Sequence, residues 1–154
     1  GTALAKAGEL EAALDAYYRS YEIFNRLNSG EGPEVGYLAN NIGWVLHRQK
    51  NYDEAQEWFE AALERVRHFE GDFSYNVMKI EVNLGLVAQG KGNHDEAIRW
   101  GMKAMPFITA NRAQTLEDQR WNFEMMSRAF AANPPVPLTD EELDALVAYI
   151  KAQK

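Results

Sequence analysis

The 154-residue chain contains no cysteine. That absence excludes disulfide scaffolds, thiolate zinc sites, iron-sulfur ligation, thiol nucleophiles and covalent c-type haem attachment. Histidine is scarce, with three in the chain, and the serines at 20, 29, 74 and 127 form no recognisable catalytic set with them. No run approaches the roughly 18 apolar residues of a membrane-spanning helix, so membrane insertion is not expected. The opening residues, GTALAKAGELEAALDAYYRS, lack the charged-then-apolar profile of a secretory signal, which leads us to expect a cytoplasmic chain. Positive charge is also in deficit. With 16 Lys and Arg against 23 Asp and Glu the net charge is -7, which disfavours nucleic acid, because phosphate binding needs clustered cations to displace counterions. What is present, 46% hydrophobic and 25% charged residues, suffices for a globular core.

The chain repeats itself. GELEAALDAYYRSYEIF from Gly8, KNYDEAQEWFEAALERV from Lys50 and GNHDEAIRWGMKAMPFI from Gly92 align without gaps. One offset of 42 residues carries Ala13 to Ala55 and Ala97, Tyr17 to Phe59, and Ser20 to Ala62 and Ala104. A second column, Asn41, Ile42, Gly43, Val45 and Leu46, falls on Asn83, Leu84, Gly85, Val87 and Ala88. Leu38, Ile42, Val45 and Leu46 have the spacing of one helix face, repeated by Ile80, Leu84, Val87 and Ala88. Each such leading helix is followed by a trailing helix whose Ala55, Phe59 and Ala62 offer it a small-large-small surface. Glycine in a helix interior costs about 1 kcal/mol relative to alanine, so Gly43 and Gly85 predict close backbone approach. The expected fold is all-α, an α-solenoid of stacked antiparallel helix pairs.

These residues resemble the tetratricopeptide repeat family: a glycine-bearing leading helix, an aromatic-Asp-Glu-Ala turn, then an aromatic and an alanine in the trailing helix. The period of 42 rather than about 34, with SGEGPEVGYLANNIGWVL, resembles the longer kinesin light chain type. The resemblance covers residues 1 to about 131. It implies a truncated first repeat over 1–30, repeats over about 36–70 and 78–112, and a fourth leading helix over about 117–131. The pattern departs from the family towards the end. Gly101 stands where an aromatic is expected, Pro106 is expected to interrupt or kink the third trailing helix, and Ser127 replaces a glycine. Extrapolated backwards, the offset puts Gly1 in the glycine column and Leu4 in the column of Leu46. The chain therefore opens inside a helix, and we expect the natural protein to continue upstream.

Pro134, Pro135 and Pro137 predict a stiff linker over 132–138. Beyond it a terminal helix is expected over 139–154, capped by Thr139 with Glu142 three residues on. Its Leu143, Leu146, Val147 and Ile150 form an apolar stripe, with Tyr149 alongside. This helix is expected to close the repeat stack. It also resembles the last helix of small c-type cytochromes, a likeness of one helix that carries no haem site with it.

In stacked helix pairs the leading helices line the concave side, so their faces away from the core are the candidate partner-binding groove. From the first complete repeat these are Tyr37, Asn40, Asn41, Trp44, His47 and Arg48. From the next they are Lys79, Val82, Asn83, Leu86 and Gln89, and from the last Trp121, Glu124 and Arg128. Asparagine amides one repeat apart offer a donor and an acceptor to a peptide backbone, and the family resemblance implies ligand contact for that column. Cations and aromatics in this set predict a short acidic-aromatic partner segment. Val82, Trp44 and Leu86 stand where a chaperone-tail carboxylate clamp would need polar groups. His94-Asp95-Glu96 aligns with Tyr52-Asp53-Glu54, so it reads as a helix start rather than a metal cluster. Glu64 and His68 share a helix face, but two ligands are too few for a metal. No catalytic set, metal or cofactor is expected. The leading reading is a non-enzymatic protein-interaction scaffold. The alternative is a structural or sensory module of a larger signalling or multisubunit assembly, including an electron-transfer one, which contacts its neighbours through its ends and terminal helix.

Overall fold

The computed structural model describes residues 2–27, 31–132 and 138–152. Gly1, which the repeat puts in the glycine column, and residues 133–137 of the expected linker lie outside them. Among the described residues there are seven α-helices and no strands: α1 (Thr2–Leu27), α2 (Glu34–Arg48), α3 (Tyr52–Glu70), α4 (Tyr75–Gly90), α5 (His94–Ala110), α6 (Leu116–Ala132) and α7 (Asp140–Ala152). The fold class is the all-α, tetratricopeptide-like one that the 42-residue repeat predicts. None of these helices is long and apolar enough to cross a membrane. The chain divides within α4 into two compact units, Gly1–Ile80 and Glu81–Lys154.

In the first unit α2 packs on α3. Ile42, Val45 and Leu46 of the predicted stripe are buried with Val35 and Ala39, and α3 contributes buried Ala55, Phe59, Ala62, Leu63 and Val66. Gly43 lies on the Phe59 ring, where an added Cβ would stand 2.7 Å from two ring carbons. Close approach is therefore what that glycine supplies. α1 joins through Tyr18 and Tyr21, whose rings lie 5.7 and 5.0 Å from that of Trp58. Ala7 and Gly8, which the offset aligns with the later inter-helix turns, are helical here, and α1 is one uninterrupted helix. A Cβ on Gly8 would meet nothing within 4 Å, so no packing partner opposes the helix-forming alanines around it.

Both later turns use one device. Lys50 has φ +64 and Gly92, one repeat on, has φ +80. The Lys50 N–H donates to the His47 carbonyl and the Asn51 N–H to that of Leu46, both at 2.9 Å. Gly92 and Asn93 donate likewise to Gln89 and Ala88, at 3.1 and 2.8 Å. These paired bonds around a left-handed residue form a Schellman motif, which satisfies carbonyls left over at a helix end.

In the second unit glycines occupy both places that Gly43 and Phe59 hold in the first: Gly85 and Gly101. Methionines of α6 fill the resulting space, with Met125 against Gly85 and Met126 against Gly101. The departure at Gly101 thus has a packing partner two methionines long. The interruption expected at Pro106 does not occur, for α5 continues to Ala110; Pro106 lies on the exposed side. α7 docks through buried Leu146 and Tyr149. The Tyr149 hydroxyl donates to the Gln119 carbonyl at 3.0 Å, and Arg112 donates to the carbonyl of Ala152. Thr139 caps α7 as predicted, its Oγ1 accepting the Glu142 N–H at 3.1 Å. The single apolar stripe is corrected, however. Leu146 and Tyr149 point inward, while Leu143, Val147 and Ile150 are 49%, 40% and 40% exposed.

Candidate functional site

The site is built around one carboxylate. Pro33 opens α2 and its carbonyl accepts the Tyr37 N–H at 3.0 Å, which sets Tyr37 one turn into the helix. Glu70 is the last residue of α3. Ser74 opens α4, accepting the Val77 N–H on its hydroxyl at 3.0 Å. That same hydroxyl donates to Glu70 Oε2 at 2.8 Å, and the Asn76 amide donates to both carboxylate oxygens at 3.1 and 3.3 Å. Tyr37 completes the set by donating its hydroxyl to Glu70 Oε1. Three side chains from α2 and the start of α4 thus converge on the end of α3.

The electrostatics follow from these bonds. Burial works to raise the Glu70 carboxyl, but the hydrogen bonds from Tyr37, Ser74 and Asn76 outweigh it and hold the group below its ordinary value. The hydrogen bond to Glu70, with burial and the nearby charge, pushes the Tyr37 phenol up to about 12. A phenol that donates to a carboxylate gives up its proton reluctantly.

This latch brings the first turn of α4 beside α2. Tyr37, Asn40, Asn41, Tyr75, Asn76, Lys79 and Ile80 line a pocket of about 180 Å³. The Lys79 ammonium lies 5.3 Å from the centre of the Tyr75 ring, within cation-π range. The Asn41 amide, which can both give and accept hydrogen bonds, therefore stands beside one cation and two phenolic rings.

Of the fourteen residues expected in the groove, the pocket gathers Tyr37, Asn40, Asn41 and Lys79. Trp44 is half-buried and stacks on His47, with ring centres 5.4 Å apart and planes at 25°, and His47 in turn meets Tyr52 at 5.6 Å. Arg48 is exposed. Val82 is a correction. It is 4% exposed, because α4 is apolar almost all round and buries Val77, Met78, Ile80, Leu84, Val87 and Ala88 too. Asn83 and Leu86 are half-buried, and Gln89 bonds His94 Nδ1 at 2.9 Å across its turn. Trp121, Glu124 and Arg128 are exposed on α6. Sequence reasoning misses Tyr75 and Asn76, although they precede Lys79 by four and three residues, the spacing of a shared helix face. Glu70 and Ser74 carry no such signal, since their roles depend on how α3 turns into α4. His94, Asp95 and Glu96 form the first turn of α5. Among the described residues no three metal-ligating side chains lie together.

Comparison with known proteins agrees with the repeat. The tetratricopeptide repeat model matches residues 1–68 and 34–110. The Arabidopsis thaliana protein Kinesin light chain-related 3 is 26% identical over 113 residues, which cover 72% of this chain and 17% of that protein. The chain thus corresponds to a small part of that relative's length. With helix pairs at a 42-residue period and a family match over more than half its length, the chain belongs to the tetratricopeptide repeat family.

Proposed function

We propose that the chain is a non-enzymatic interaction module that holds an extended, acidic-aromatic segment of a partner protein on the surface between α2 and the first turn of α4. Tetratricopeptide repeats are protein-interaction modules and are generally not catalytic, which supports the coarse reading. One observation carries the finer one: Asn40, Asn41, Asn76, Tyr75 and Lys79 are assembled on one pocket by the latch at Glu70. An extended segment needs partners for its own amides, and the Asn41 amide can both give and accept one such bond. Lys79 beside Tyr75 favours an acid next to an aromatic ring.

The test is selection of short peptides on the immobilised chain, followed by titration of the enriched sequence. Acidic residues flanking an aromatic are expected, with affinity falling about tenfold for Lys79→Glu and less for Asn41→Ala. Enriched peptides without acids, or ones that bind Lys79→Glu as tightly as the wild type, would sink this reading. A second reading, contact with neighbouring domains through the terminal helix, is favoured by the exposed Leu143, Val147 and Ile150. It expects Val147→Glu, not Lys79→Glu, to release the partner.

A further inference from the structure

A second concavity has no part in the Tyr37–Lys79 surface. It is a groove of about 970 Å³ between α5 and α7, within the second unit. Its apolar lining includes Trp100, Met105 and Pro106 from α5, and Ala145, Ala148 and Tyr149 from α7. Alanine on α7 keeps the groove open where a longer side chain would fill it.

Two features mark it as more than a packing gap. Pro106 sits inside α5, where it has no N–H to give the Met102 carbonyl, and Met102 also lines the groove. A proline here leaves that carbonyl without its helical donor. The charges are also sorted along the groove. Arg112, just past the end of α5, bonds the carbonyl of Ala152 at the end of α7, so the two helices run in the same direction. Their starts bring Glu96, Glu141 and Glu142 to one end. Arg99 and Lys103 stand further along α5, and Lys103 lies 4.6 Å over the Trp100 ring.

The occupant follows from these walls. Two helices present no strand edge, so an extended peptide would bury its amides with few partners. A helix satisfies its own backbone and needs only an apolar stripe. We infer that the groove between α5 and α7 is a second docking site, which takes an amphipathic helix of a partner protein whose basic end meets Glu96, Glu141 and Glu142. The inference is independent of the Tyr37–Lys79 surface.

The probe is a synthetic helical peptide of about 18 residues, without aromatics, with a leucine stripe and a lysine-rich last turn. Its counterpart carries glutamates in that turn. Binding is measured by calorimetry and by the indole N–H resonance of Trp100, assigned with Trp100→Phe. The lysine-ended peptide is expected to bind about tenfold more tightly than the glutamate-ended one at physiological salt and to shift the Trp100 resonance. Ala148→Glu, at an exposed position, is expected to lose at least about tenfold in affinity, while Lys79→Glu changes nothing. Glu141→Lys, also exposed, is expected to narrow or reverse the preference, which keeps the test open if Ala148→Glu loosens α7. Equal binding of the two peptides, full affinity in a folded Ala148→Glu chain, or no binding at about 1 mM would overturn the assignment.

Discussion

Glu70 shows how much one residue can organise. It ends α3 and accepts hydrogen bonds from Tyr37, Ser74 and Asn76, so removing any donor weakens both the turn and the pocket it supports. Tyr37→Phe is expected to cost about 1 kcal/mol, a fall of a few degrees in the midpoint of a thermal melt followed by circular dichroism. The titrations have definite signs. The Tyr37 phenol is pushed up to about 12, and burial pushes Tyr149 to about the same value. An unfolded tyrosine titrates near 10. Between those values the folded chain holds protons that the unfolded chain has released, so stability is present below pH 10 and is lost as pH rises towards 12. At the acid end the depressed Glu70 carboxyl works in the opposite sense: its contribution stands above the ordinary glutamate value and is lost as pH falls through the lowered one. Melts across pH 9 to 12 should show the alkaline loss, reduced in Tyr37→Phe; an unchanged profile in that variant would remove the latch from the account. Tyr37 is visible in the sequence as an aromatic on a polar face, whereas its bond to Glu70, 33 residues away, is not.

The helix pairs are legible in the sequence because each element has to bury one stripe, and a stripe has a period. Gly43 and Phe59 recur in the sequence as a small and a large residue 16 apart, and packed together they become a ring lying on bare backbone. The second repeat breaks that rule at Gly101, and the remedy, Met125 and Met126, comes from a different helix. Periodicity along one segment cannot disclose such compensation across segments. Exact repetition also isolates the local strain. Lys50 adopts at φ +64 the conformation that Gly92 adopts at φ +80, and a left-handed backbone costs a side-chain-bearing residue about 1–2 kcal/mol. Lys50→Gly is therefore expected to stabilise the chain by about 1 kcal/mol in urea unfolding; destabilisation would mean that the lysine side chain makes a compensating contact. α7 is the converse case. Its apolar residues form one continuous arc in the sequence, and only docking decides that Leu146 and Tyr149 turn inward while Leu143 faces water.

At the scale of the whole molecule, charge and fold class are compositional facts. A net charge of -7 predicts that the chain is not retained by duplex DNA at physiological salt, which a mobility-shift assay over a salt series would check. A salt-sensitive shift would instead reveal a local cationic patch strong enough to overcome the net field. The all-α class, the 42-residue period, the glycines that demand close approach and the capped terminal helix all lie in the sequence, because each shows as a local pattern or as its recurrence one repeat on. Tertiary structure alone decides the rest. It buries Val82, joins Tyr37 to Glu70 and opens the groove between α5 and α7. Those outcomes depend on which faces meet, and spacing along the chain does not specify how helices distant in sequence dock.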